Sequence, residues 1–192
     1  MTALPGSPRP LRADAARNRT SLLDAARDAF SRHGVSASLD DVARAAGVGP
    51  GTLYRHFPTR DQLVLAVIDD GLRGLHSLGE RLLSEPDSVA ALRRWLDAYV
   101  EQGGMYEGMA RTLVNPGGPE GKDACAMSRA AGAALVARAA SEGVIRADTD
   151  FDDVLDLAAA IAWVGEQPDR DSQQRTRLLQ ILVDGLRVPN SG

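Results

Sequence analysis

The chain has 192 residues, of which 44% are hydrophobic and 25% charged, with a formal net charge of −4, three histidines and one cysteine. That is long and apolar enough to bury a core in one or two small domains. It excludes an internal disulfide, and His33, His56 and His76 stand apart without metal-ligand spacing.

Overall acidity argues against nucleic acid only until the charge is divided along the chain. Residues 1–60 hold 9 Arg and no Lys against 5 acids, whereas the remainder holds 13 basic and 21 acidic residues. A basic head on an acidic body is the asymmetry of a protein whose head alone meets phosphates.

The N-terminal stretch MTALPGSPRPLR has three prolines and two arginines but no apolar h-region. It reads as a flexible basic arm over residues 1–13 and not as a signal peptide. An amphipathic helix follows from about Asp14 to His33, with Leu22, Leu23, Ala26 and Phe30 on its buried stripe and Gly34 as terminator.

Ser38 to Phe57 then reads as two short helices around a tight turn. Ser38 with Asp41 three residues on makes a capping start, and Val42, Ala43 and Ala46 recur at helical spacing. Gly47-Val48-Gly49 breaks the chain around one apolar residue. Pro50 suits the first turn of the second helix, where Leu53 and Phe57 form the apolar side. This is the helix-turn-helix pattern, whose second helix enters the DNA major groove.

Ala25-Ala26, Phe30, Gly34, Asp41-Val42-Ala43, Ala46-Gly47-Val48, Gly51-Thr52-Leu53-Tyr54, His56-Phe57-Pro58 and Leu63 stand in an order and spacing that resemble the N-terminal domain of the TetR family of transcriptional regulators. The resemblance covers about Ala16 to Val67. It implies an all-α protein in which an N-terminal three-helix DNA-binding domain (14–60) is joined by a long helix to a C-terminal helical domain (61–188) for ligand binding and dimerisation, with a tail at 189–192. It also implies that Tyr54 and His56 donate to DNA phosphates, that Thr52 contacts the backbone or a base edge, and that Arg60 holds a phosphate. Gly51 sits near the start of the recognition helix, where backbone N–H groups meet DNA. Members of the family commonly carry Ser and then a polar or basic residue where this chain has Gly49 and Pro50. That departure leaves Thr52, Arg55 and Arg44 as the candidate base readers. Arg60 also stands where Lys is usual, which keeps the charge and changes the geometry.

Thr59 and Asp61 start the next helix, whose stripe runs through Leu63, Val64, Val67, Ile68, Leu72, Leu75, Leu78 and Leu82. By resemblance this is the helix that moves when ligand binds. Beyond it, breakers delimit helices at about Val89–Gln102, a short segment at Met105–Val114, and helices at about Glu120–Glu142, Phe151–Gly165 and Asp171–Leu186. Trp95, Tyr99, Met105, Tyr106, Met109, Met127 and Trp163 gather most of the body's aromatic and Met side chains and are candidates to line an apolar pocket. Leu157, Ile161 and Val164, with Leu178 and Leu182, lie on helices apolar on more than one face. The resemblance places them at a homodimer interface that spaces two heads over a palindromic operator.

Cys125 is expected as a small buried side chain. The longest apolar run, Leu157–Val164, is too short to span a membrane, and a cytoplasmic location is expected. GGPEGKD imitates a phosphate loop, but Pro116 and Asp123 occupy positions that the loop requires for Gly and Ser or Thr, so no catalysis and no cofactor are expected. The expected function is a dimeric DNA-binding regulator, most simply a repressor released by an apolar or aromatic small molecule. The reading from another class is a helical small-molecule carrier or interaction module that keeps the head without using it.

Overall fold

Apolar stripes of period 3.6 recur along the chain, and the computed structural model shows the helices they call for. It describes residues 9–111, 119–165 and 172–188, with side chains over 13–102, 123–165 and 173–188. Among the described residues the helices are α1 Arg9–His33, α2 Leu39–Ala45, α3 Pro50–His56, α4 Arg60–Leu82, α5 Ser88–Arg111, α6 Pro119–Ser141, α7 Phe151–Gly165 and α8 Ser172–Leu186. A 3-10 turn at Gly34–Ser36 separates α1 from α2, and one isolated antiparallel bridge joins Ile145 to Arg187. No described helix is long and apolar enough to cross a membrane.

The chain divides into two units, Met1–Val67 and Ile68–Gly192. In the first, α1 packs on α2 and α2 on α3. Leu22, Leu23, Ala26, Phe30, Leu39, Val42, Ala43, Leu53, Phe57, Leu63, Val64 and Val67 are buried. Helices of seven residues cannot hold themselves in water, so this shared core is what keeps α2 and α3 folded.

In the second unit α5 packs against α6, α7 and α8. Trp95 is the centre of that core and is fully buried. Its indole N–H donates to the Leu75 carbonyl at 3.1 Å, and its ring stacks on Tyr99 with centroids 5.7 Å apart. Gly132 lets the ring come this close: a Cβ there would stand 2.6 Å from Trp95 Cη2 and 2.7 Å from Phe151 Cε2.

Three expectations need correction. The helix expected to end at Gln102 continues through Gly103 and Gly104 to Arg111, so the separate segment from Met105 does not exist. A glycine costs about 1 kcal/mol in a helix interior, which weakens a helix without ending it. Cys125 is exposed and not buried. The inward stripe of α6 runs through Ala124, Ser128, Ala131, Leu135 and Ala139, and Cys125 stands one residue off it. Finally, α1 starts at Arg9 where the arm was expected to continue to residue 13; residues 1–8 lie outside the described residues.

Candidate nucleic-acid interface

The interface is built on two short helices whose ends the sequence specifies locally. Ser38 is the N-cap of α2, its hydroxyl accepting from the Asp41 N–H at 3.3 Å. At the other end Gly47 takes φ of +71°, the Gly47 N–H donates to the Arg44 carbonyl at 3.1 Å, and the Val48 N–H donates to the Ala43 carbonyl at 3.0 Å. That paired closure needs a left-handed residue, which is why Gly stands there. Gly49 is different: φ is −76°, so it is N-cap to α3 without a conformational need for Gly, and it offers no capping side chain. Pro50 is the first helical residue, as expected.

Leu53 is fully buried and Phe57, the C-cap of α3, nearly so, and these two anchor the helix from beneath. The rest of α3 is therefore turned outward. Gly51, Tyr54 and Arg55 are exposed, and Thr52 and His56 are half-buried. Arg55 folds along its own helix, Nε donating to the Gly51 carbonyl at 3.2 Å and Nη2 to Thr52 Oγ1 at 3.0 Å. On α2, Arg44 is exposed and ion-paired to Asp41 at 2.5 Å. Exposed pairs of this kind are worth about 0–1 kcal/mol, so DNA phosphates or base edges can replace them at small cost.

Two arginines add to the sequence picture. Arg60 is part-buried and donates from Nη1 to the Val35 and Ala37 carbonyls at 2.5 and 2.7 Å, where a phosphate partner was expected. Arg19 of α1, which the sequence reading missed, lies over the Phe57 ring at 5.6 Å. Phe57 also meets His56, with ring centroids 6.2 Å apart. Arg19 and His56 thus flank one aromatic ring. The only signal in the sequence was its place three residues ahead of the buried Leu22.

Among the candidate pocket residues whose side chains are described, Trp95 and Tyr99 are in contact. Trp95 is core, Tyr99 stacks on it half-buried, and Met127 and Trp163 are 37% and 49% exposed. The side chains of Met105, Tyr106 and Met109 lie outside the described residues. Of the candidate dimer residues, Leu157 is 52% exposed, Val164, Leu178 and Leu182 are half-buried, and Ile161 belongs to the protomer core at 9%. Ile181 of α8, at 67%, is a further exposed apolar side chain. Among the described residues no group of three or more His, Cys, Asp or Glu could hold a metal ion.

Comparison with known proteins follows the same division. A family model described as bacterial regulatory proteins, tetR family, matches residues 22–67, and one described as transcriptional regulator SbtR-like, C-terminal domain, matches residues 87–188. The HTH-type transcriptional regulator UidR of Escherichia coli (strain K12) is 39% identical over 118 residues, covering 55% of this chain and 57% of that protein. The chain thus spans somewhat over half the length of this curated relative. The crystal structure of TetR transcriptional regulator SCO0520 from Streptomyces coelicolor is 37% identical, with a TM-score of 0.78 over 89% of this chain and 99% of that one. The HTH-type transcriptional repressor LfrR of Mycolicibacterium smegmatis is 35% identical over 92 residues, 45% of this chain and 46% of that protein. Its crystal structure in complex with proflavine shares the fold, with a TM-score of 0.64 at 22% identity over 91% of this chain and 99% of that one.

Proposed function

The chain belongs to the TetR family of bacterial regulatory proteins, and from that membership we propose that it is a dimeric, DNA-binding transcriptional regulator that a small molecule releases from its operator. The observation that carries this reading is the outward face of α3, where Gly51, Thr52, Tyr54, Arg55 and His56 surround the buried anchor Leu53. On that face Tyr54 and His56 donate to phosphates, which fixes the register of the head on the duplex. Thr52 and Arg55, with Arg44 of α2, reach base edges in the major groove. Arg19 adds a cation beside Phe57.

A second copy of the chain supplies the second head. Leu157, Trp163 and Ile181 expose large apolar surface on α7 and α8, which a two-fold partner would bury in a four-helix arrangement. Two heads separated by about 34–36 Å, or a multiple, read the halves of a palindromic site.

The effector is an apolar or aromatic molecule bound by the second unit. Support comes from LfrR, a relative whose crystal structure holds proflavine, and from the half-buried Tyr99 on the Trp95 ring. The molecule acts by preferring a spacing of the heads that DNA does not, so that the two ligands oppose each other reciprocally. The protein works in the cytoplasm, where its DNA lies.

Fluorescence anisotropy against duplexes from the region upstream of its own gene tests the reading. Sequence-specific binding that weakens steeply with salt is the expected result. Non-specific or absent binding favours a helical carrier that keeps the head unused, the reading to which Gly49 and Pro50 lend their only support.

A further inference from the structure

Arg60 is the first residue of α4, where the exposed N–H groups of a helix make a cation unwelcome. Its guanidinium is turned back across the head instead, with Nη1 donating to the Val35 carbonyl at 2.5 Å and to the Ala37 carbonyl at 2.7 Å. Arg17, Arg44 and Arg55 bond to partners three or four residues away. Arg60 reaches 25 and 23 residues back.

The two carbonyls occupy a decisive place. Val35 lies in the 3-10 turn, and Ala37 caps it, its N–H donating to the Gly34 carbonyl at 3.2 Å. The next residue is Ser38, the N-cap that launches α2. At its own end Arg60 follows Thr59, whose hydroxyl accepts from the Gln62 N–H at 3.2 Å, and comes three residues after Phe57, the C-cap of α3. One side chain therefore joins the entry of the helix-turn-helix to its exit. Because α2 and α3 are seven residues each, their direction depends on where the chain is held at these two points.

We infer that Arg60 is a positioning residue for DNA reading, acting through the Val35 and Ala37 carbonyls on the entry to α2 and not by neutralising a phosphate. Both Nη1 protons are committed to those carbonyls, which leaves Nε and Nη2 as the remaining donors; turning Nη1 itself to a phosphate would take both hydrogen bonds from the entry to α2. The inference rests on the DNA-binding reading above and adds to it a division of labour among its arginines.

The test compares the full-length wild type with Arg60→Gln in two measurements. In the free protein, amide exchange at Asp41 and Val42 should quicken on the order of ten-fold in the variant while α7 and α8 keep wild-type protection. In anisotropy titrations over a salt series, affinity should fall on the order of ten-fold with the slope of log K against log salt unchanged. Unchanged exchange at Asp41 and Val42, or a slope shallower by about 0.9, the loss of one phosphate, would overturn the proposal. If Arg60→Gln unfolds the head, Arg60→Lys keeps the charge with a shorter reach; faster exchange there supports the tie, and wild-type exchange with wild-type affinity sinks it. Failure of the DNA reading itself is told apart, because then the wild type also lacks salt-dependent binding.

Discussion

In the free head, Arg55 Nη2 donates to Thr52 Oγ1 at 3.0 Å, so the two residues of α3 proposed to read bases hold each other before DNA arrives. Arg55→Ala is expected to lower affinity for the preferred site by about 1–3 kcal/mol and to relax discrimination at one base position. Thr52→Ala should change the cost of Arg55→Ala by about 0.5 kcal/mol or more, because the partner that orients the guanidinium is gone. A double-mutant cycle by anisotropy measures this, and strictly additive costs would mean that the two act independently.

Trp95 sets the tolerance of its neighbours. Gly132→Ala drives a Cβ to within 2.6 Å of Trp95 Cη2, and overpacking of this kind costs about 1–3 kcal/mol. Gly74→Ala, also in a helix but with nothing within 4 Å of the new Cβ, should instead stabilise by about 0.5–1 kcal/mol. Urea unfolding midpoints that move in opposite directions are the expected result.

Glu142 closes a polar cluster in the second unit. Its carboxylate accepts from the Ser88 hydroxyl at 2.5 Å and from Arg138 Nε at 2.8 Å, while Arg138 Nη1 donates to the Leu83 carbonyl at 2.9 Å. The Ser88 hydrogen bond, and after it that of Arg138, holds the Glu142 carboxyl below the ordinary glutamate range. As pH falls, the unfolded chain takes up this proton first, so the contribution is complete above the ordinary range and is lost as pH drops through it towards the folded value. The difference in melting temperature between wild type and Glu142→Gln should therefore shrink on acidification. A difference that stays constant from neutral pH downward would show that the carboxylate contributes nothing through its charge.

Ile181 is 67% exposed in the protomer, whereas Leu179, two residues before it, is 1% exposed. Ile181→Glu should change protomer stability by no more than about 0.5 kcal/mol, yet weaken self-association ten-fold or more, on the order of a lost interface anchor. Sedimentation velocity over a concentration series reads both species. A dimer that survives Ile181→Glu and Leu157→Glu together would place the partner surface elsewhere.

The head was legible because its signals are local. Ser38, Gly47 and Pro50 each satisfy a backbone requirement within four residues of themselves, and Leu22, Phe30, Leu53 and Phe57 repeat at helical spacing. The reach of Arg60 to Ala37 was not legible, because nothing within a short window marks a bond 23 residues long. In the body, helical spacing turned Trp95 inward on α5, whereas apolar composition marked Trp163, Ile161 and Leu157 without saying which of them face inward. Trp95 proved fully buried and Trp163 half in solvent, a distinction set by neighbours such as Gly132 on another helix. Gly103-Gly104 misled for a related reason: weak local propensity was read as a helix end, although α5 carries on through it.

In the proposed complex the outward face of α3 grips the DNA backbone through Tyr54 and His56. Anisotropy titrations of wild type and of Tyr54→Phe combined with His56→Ala, on the same upstream duplex, test it most directly. Two lost hydrogen bonds to phosphate should weaken binding by about 10- to 100-fold, on preferred and scrambled sequences alike. Wild-type affinity in the double variant at every salt concentration would contradict the account.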